Sequence, residues 1–222
     1  MTDARPGAVP PRWLLITLAI AAAAALAFAI GRFTAFSTAA APATPATDSA
    51  DAGFARDMQV HHSQAVEMAM IIYAKTEDEL VRTLAYDMAT AQSAQSGEMY
   101  GWLVEWGLPQ SGGQLMGWMT DAAGGHEGHS GPSSSSTEAQ LRAAMGMATD
   151  AELAELRAAT GTEADCLFLG LMIRHHEGAI DMVDAVQERG EQPRVLAVAK
   201  SMAGVQQSEI DAMRGAQVRL GC

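Results

Sequence analysis

Laid against itself at an offset of 114 residues, this chain repeats one helical pattern, and that repeat limits what it can fold into. Phe54 meets Phe168, Met58 meets Met172, His61 and His62 meet His175 and His176, Ala65 meets Ala179, and Met68 meets Met182. The offset continues through Val81 and Val195, Ala85 and Ala199, Met88 and Met202, Gln92 and Gln206, and Met99 and Met213. One offset held over some 45 positions without a gap implies two copies of a single supersecondary unit.

The spacing identifies the unit. Phe54, Met58, His61, Ala65, Met68 and Ile72 step by alternating fours and threes, and so do Phe168, Met172, His175, Ala179, Met182 and Val186. Each series is one face of an α-helix. Val81, Ala85, Met88, Gln92, Gln95, Met99 and Trp102 form the face of a second helix, and Val195, Ala199, Met202, Gln206, Glu209 and Met213 that of a fourth. The pattern predicts helices over 51–74, 78–106, 163–189 and 192–216, with a shorter one in "TDAELAELRAATG" capped by Thr149 or Asp150. Links at "AKTEDE" and "ERGEQP" are short, so each pair is an antiparallel hairpin. Residues 107–137, rich in Gly, Ser and Pro, read as a mobile loop between hairpins. Two amphipathic hairpins bury their faces on each other, which predicts an all-α antiparallel four-helix bundle over 51–222. The abundance of Ala and Met and the scarcity of aromatics favour helix over sheet.

Ahead of the bundle, Trp13–Ile30 is an uncharged run of 18 residues preceded by Arg5 and Arg12. That is the lower limit for spanning a bilayer, with the basic side and residues 1–12 in the cytoplasm. The expectation is a single-pass signal anchor or uncleaved signal, with 31–50 as a flexible linker; the alternative is secretion after cleavage within "FSTAAAPATPATDSA". Both place the body outside the cytoplasm. No cysteine near the end of the run suggests a lipid anchor.

From Asp51 onward there are 11 basic and 24 acidic residues, which repels nucleic acid and suits exported solubility. No phosphate loop, nucleophile elbow or His-Glu-x-x-His occurs, and no paired acid and base marks a cleft, so no enzyme is expected. Imidazoles in a methionine-lined seam are unusual, because a buried unpaired nitrogen is costly. Imidazole and thioether on one seam suit a soft or borderline metal: thioethers select Cu(I), and imidazole accepts Cu(II) too. No cysteine cluster provides a structural zinc site, and no Glu-x-x-His provides a di-iron site. Copper is therefore expected, Cu(I) ahead of Cu(II).

Folding each hairpin on itself puts His61 level with Gln92, Met58 with Gln95, His175 with Gln206 and Met172 with Glu209. These polar residues would orient the imidazoles, or simply satisfy them in layers that hold no metal. Met88, Met99, Met202 and Met213 read equally as core or as ligands. Met116, Met119, Met145 and Met147 lie where no helix core evidently needs them, and with His126 and His129 they could capture a soft ion from outside. Cys166 begins one helix and Cys222 follows its antiparallel neighbour, so they are either bridged or free thiols open to copper.

"FARDMQVHHSQAVEMAM" and "LFLGLMIRHHEGAIDMV", with "VAKSMAGVQQSEIDAM", resemble the bacterial domain-of-unknown-function family 305 over about residues 51–216. The resemblance implies a ferritin-like four-helix bundle, secreted or membrane-tethered, some members of which bind copper through Met and His in the periplasm and support copper resistance. Carried over residue by residue, it points to Met58, His61, His62, Met68, Met172, His175, His176 and Met182 as ligands. The first copy departs from the family pattern, with Gln95-Ser96 where the second has Glu209-Ile210. If Glu209 holds a metal or orients His175, the two sites are unequal.

The functional expectation is an extracytoplasmic copper-binding protein that buffers the ion or passes it to a copper-handling partner. A structural or interaction module of the cell envelope, with histidines in buried hydrogen-bond layers, is the alternative. A metal-dependent oxidoreductase ranks third.

Overall fold

Good helix formers and strict apolar ladders give seven α-helices and a single 3-10 turn, with no strand, among residues 11–37, 44–119 and 136–222, which the computed structural model describes. Two units separate, Met1–Ala43 and Thr44–Cys222. The first contains α1, Arg12–Ser37. It runs seven residues into the expected linker, because Gly31 alone does not stop a helix and no proline follows until Pro42. Among the described residues no helix is long and apolar enough to cross a membrane. The expected span lies within α1, and the side chains of Leu14, Leu15, Leu18, Ala19, Ala29 and Ile30 are outside the described residues.

The second unit holds α2 (Ala50–Tyr73), α3 (Glu79–Glu105), α4 (Glu138–Ala144), α5 (Asp150–Ala158), α6 (Gly161–Arg189) and α7 (Pro193–Leu220). Helices α2 and α3 form one hairpin and α6 and α7 the other; α2 packs on α6 at the centre, while α3 and α7 barely meet. The predicted long helices are all present within a few residues. Helix α4 is new, opened by a capping box in which Thr137 and Gln140 satisfy each other's backbone N–H.

The turns are held from outside their own hairpins. Asp51 of α2 accepts the backbone N–H of Glu191 (3.0 Å) and Gln192 (3.1 Å), capping the start of α7. Lys75 donates to the carbonyls of Leu156, Arg157 and Ala159, where α5 ends. Arg56 ties Thr47 and Pro109 to the bundle. Cys166 and Cys222 are bridged with Cα atoms 5.5 Å apart, so neither is a free thiol.

The described part of the inter-hairpin connection is anchored where mobility was expected. Asp57 accepts the Met116 N–H at 2.7 Å and the Trp118 indole N–H at 2.9 Å. Burial raises the Asp57 pKa, with those hydrogen bonds opposing the rise. Gly53 lets the Trp118 ring lie directly on α2, since a Cβ there would come within 2.3 Å of it.

The core divides into two clusters that the 114-residue offset exchanges. One contains Met58, Met99, Met182 and Met202; the other contains Met172, Met213, Met68 and Met88. Each takes one methionine from each long helix. Met116, Met145 and Met147 join only the first.

Candidate metal centre

Between the two methionine clusters lies the histidine layer. The ladder that buries Phe54 and Met58 on α2 also carries His61 inward, and its repeat on α6 carries His175 to the same interface. Their rings stack with centroids 3.6 Å apart and 30° between planes. His62 and His176, 100° further around their helices, are also buried and face the hairpin partners α3 and α7. Each outer ring is 6.3 Å from the inner ring of its own pair.

Each Nε2 has an acceptor. His61 donates to the Met145 carbonyl (2.9 Å) and His175 to the His61 carbonyl (3.0 Å). His62 donates to Gln95 Oε1 (2.8 Å) and His176 to Glu209 Oε2 (2.7 Å). A carbonyl or carboxylate only accepts, so each ring in its neutral form carries its proton on Nε2 and leaves Nδ1 as a bare lone pair. All four Nδ1 atoms are buried without a hydrogen-bond partner. Burial also keeps the His61, His62 and His175 rings neutral. It depresses His61 to about 3, helped by His62, and His62 to about 4 against the Gln95 hydrogen bond. Burial and the neighbouring imidazoles hold His175 well below its ordinary value.

These orphaned nitrogens suit a metal. A histidine ligand commonly donates its other N–H to a carbonyl or carboxylate, which fixes tautomer and ring orientation, and this arrangement exists four times here. Among the described residues no group of three or more His, Cys, Asp or Glu is gathered to hold an ion. A nitrogen-only cage is therefore not formed, and the thioethers of the flanking clusters are the other donors at hand. Met58 and Met182 belong to one cluster, Met68 and Met172 to the other.

The expected orienting residues are shifted by one helical turn. Gln95 and Glu209 bind the outer histidines, whereas Gln92 and Gln206 are buried with the oxygens of both and the Gln92 nitrogen unpartnered. Glu209 thus orients His176, where His175 was expected. Met116, Met145 and Met147 are core residues, 6%, 0% and 3% exposed, with Met119 packed against them, so they do not form an outward-facing capture loop. His126 and His129 lie outside the described residues.

A strap that pattern reading missed closes the layer. Residues 145–148 cross α2 and α6, gripped by Gln64, which donates to the Ala148 carbonyl (2.9 Å) and accepts its N–H (2.7 Å). The fit needs two glycines: a Cβ on Gly178 would lie 1.9 Å from the Met145 oxygen, and one on Gly146 2.2 Å from the Arg174 oxygen. Gly146 also has φ +72°, a conformation that favours glycine. The "MGM" tripeptide was the available signal.

Residues 51–217 match the family model of DUF305, a domain of unknown function. The chain belongs to the DUF305 family. Among solved structures, this DUF305 chain is similar to a DUF305 protein of Streptomyces coelicolor to which a secreted location is ascribed, at 40% identity and TM-score 0.68, covering 80% of this chain and 96% of that one. A DUF305 fragment from Deinococcus radiodurans is 29% identical, with TM-score 0.63, covering 81% and 99%. CopM in its Cu(II)-bound form is 25% identical, with TM-score 0.55, covering 75% and 94%. No curated protein matches the chain.

Proposed function

We propose that this DUF305 protein binds copper outside the cytoplasm, holding the ion through imidazole nitrogen and thioether sulfur and buffering it or handing it to a copper-handling partner, without turning over a substrate. The observation that carries the reading is the set of four bare, buried Nδ1 atoms whose rings are locked from the opposite nitrogen. A buried acceptor with no partner costs about 1–3 kcal/mol, so four in one layer are a standing penalty that a bound ion removes. His61, His62, His175 and His176 would supply nitrogen, and Met58, Met68, Met172 and Met182 sulfur. This donor set favours copper over zinc, calcium or magnesium. The Cu(II)-bound CopM relative supports the same metal.

The location follows from the leader: Trp13–Ile30, behind two arginines, acts as a single-pass anchor or as a cleaved export signal. The secreted location ascribed to the Streptomyces relative supports export. The ferritin-like arrangement belongs to the same proposal, supported by two antiparallel hairpins joined through a long connection.

The test uses the full-length chain purified in mild detergent with its disulfide intact and stripped of metal by a chelator, then titrated with Cu(I) and Cu(II) against competing chelators. X-ray absorption should report nitrogen and sulfur ligands, and replacing His61 and His175 together by Gln should abolish tight binding while the helical content persists. One observation favours a purely structural role for the histidines: each ring already has one hydrogen bond, and the stacked pair fills the α2–α6 interface. A folded protein that stays empty in excess copper would establish that alternative.

A further inference from the structure

Resting on the copper reading above, we infer that the two histidine pairs form unequal sites, with Glu209 making the His176 side selective for Cu(II) and Gln95 leaving the His62 side selective for Cu(I). The contacts are one contact made twice. Positions 62 and 176, and 95 and 209, are each separated by the repeat offset, and in both hairpins the outer imidazole donates Nε2–H to a side-chain oxygen, at 2.8 Å and 2.7 Å. The only chemical change in the pair is amide to carboxylate. Both imidazoles are fully buried, while the Glu209 side chain is 18% exposed. Among the described residues no Lys or Arg pairs with Glu209, and its ion-pairing contact is with His176.

A carboxylate on the far nitrogen makes an imidazole a stronger donor. It also places a negative charge near the ion, where low dielectric magnifies the effect, and that charge stabilises a dication more than a monocation. At the His62 side the only compensation is a neutral amide. A second positive charge there is poorly offset, and thioethers already favour the monovalent ion. Ligand identity is duplicated, so the difference resides in the residue behind the ligand: Glu209 and Gln95 are positioning residues that set oxidation-state preference.

Reciprocal substitution in the full-length chain tests this. Glu209→Gln makes both sides amide, Gln95→Glu makes both carboxylate, and the two combined exchange the sites. All three keep an acceptor oxygen of similar shape, and metal-free melting curves check that folding is retained. Cu(II) is counted by electron paramagnetic resonance, Cu(I) affinity is measured by anaerobic chelator competition, and the reduction potential of each loaded form is recorded. Wild type should hold one Cu(II) tightly. Glu209→Gln should weaken it about 10- to 100-fold and raise its potential by about 60–120 mV, since tenfold is about 59 mV for a one-electron couple. Gln95→Glu should bring tight Cu(II) uptake to two, and the double variant should restore one. Two equal Cu(II) ions in wild type, or a threefold or smaller effect of Glu209→Gln, overturns the inference and leaves copper binding intact. No uptake of either ion by wild type overturns the copper reading itself.

Discussion

The metal-free bundle should be acid-labile in a window set by its histidines rather than its carboxylates. An unfolded imidazole titrates near 6.5, whereas burial brings His61 to about 3 and His62 to about 4. Between those limits the unfolded chain binds protons that the native chain refuses, so stability is full above the unfolded value and falls as pH falls. Near pH 5, about 1.5 units below the unfolded value, each neutral ring costs about 2 kcal/mol. His61 and His62 together remove about 4 kcal/mol, and His175 adds in the same direction. Domains are typically stable by about 5–15 kcal/mol, so this is a large fraction. Asp57, whose pKa burial raises, acts in the opposite sense, and Glu152 acts later: Arg174 holds Glu152 at about 2, and the stability that pair contributes is lost only as pH falls below the ordinary glutamate range. Urea denaturation followed by circular dichroism, near pH 7.5, 6 and 5 with a chelator present, measures the effect. The midpoint should fall steadily while the slope stays constant. A change below about 1 kcal/mol would mean that the rings are solvated or already charged in the native state, and the tautomer argument would fail with it.

Two further perturbations probe the scaffold. Gly178→Ala forces a Cβ into the Met145 carbonyl; overpacking and the lost His61 bond should together destabilise by about 2–4 kcal/mol. The Ala148 amide, donated to Gln64, should lose hydrogen-exchange protection, and an unchanged urea midpoint would show that the strap is not packed as described. Opening the Cys166–Cys222 bridge, which spans 56 residues, should cost about 4 kcal/mol by chain entropy. That lowers Tm by about 10 °C, a shift that the Cys166→Ser/Cys222→Ser variant should reproduce without reductant and that reductant should not enlarge.

The long helices were legible because each signals itself locally: a ladder such as Phe54, Met58, His61, Ala65, Met68, Ile72 can bury only one face. Helix α4 was missed although Thr137 and Gln140 form a capping box, since a seven-residue helix carries too little periodicity beside a Gly- and Ser-rich segment. The register between helices was a different problem. Sliding α3 along α2 by one turn presents nearly the same apolar face, so turn length alone could not decide between Gln92 and Gln95 as the imidazole's partner. The Met145 carbonyl was illegible for a stronger reason. It is a backbone acceptor supplied 84 positions away, and no side-chain pattern encodes such a contact. The methionines of the strap looked spare because the element that buries them is not itself periodic.

The repeat also shows where the two halves had to diverge. His175 donates to the carbonyl of His61, and strict twofold symmetry would have His61 donate to the carbonyl of His175. The strap takes that bond instead. Its grip uses repeat mates in opposite ways: Gln64 offers an amide to Ala148, while Gly178, 114 positions later, offers the absence of a side chain to Met145. The same logic holds at the hairpin ends. Asp51 caps the start of α7, but its mate Asp165 has no matching task, because Asp78 caps α3 itself and is held by Arg219. One oxygen of Asp165 is left buried and unpartnered. Duplication therefore fixed four buried imidazoles and the paired methionines, and divergence acted on what stands behind them. The far nitrogen meets a carbonyl from the strap, a carbonyl from the other repeat, an amide or a carboxylate, and on the proposed copper reading those four partners are the physical means by which one inherited set of side chains would acquire different affinities.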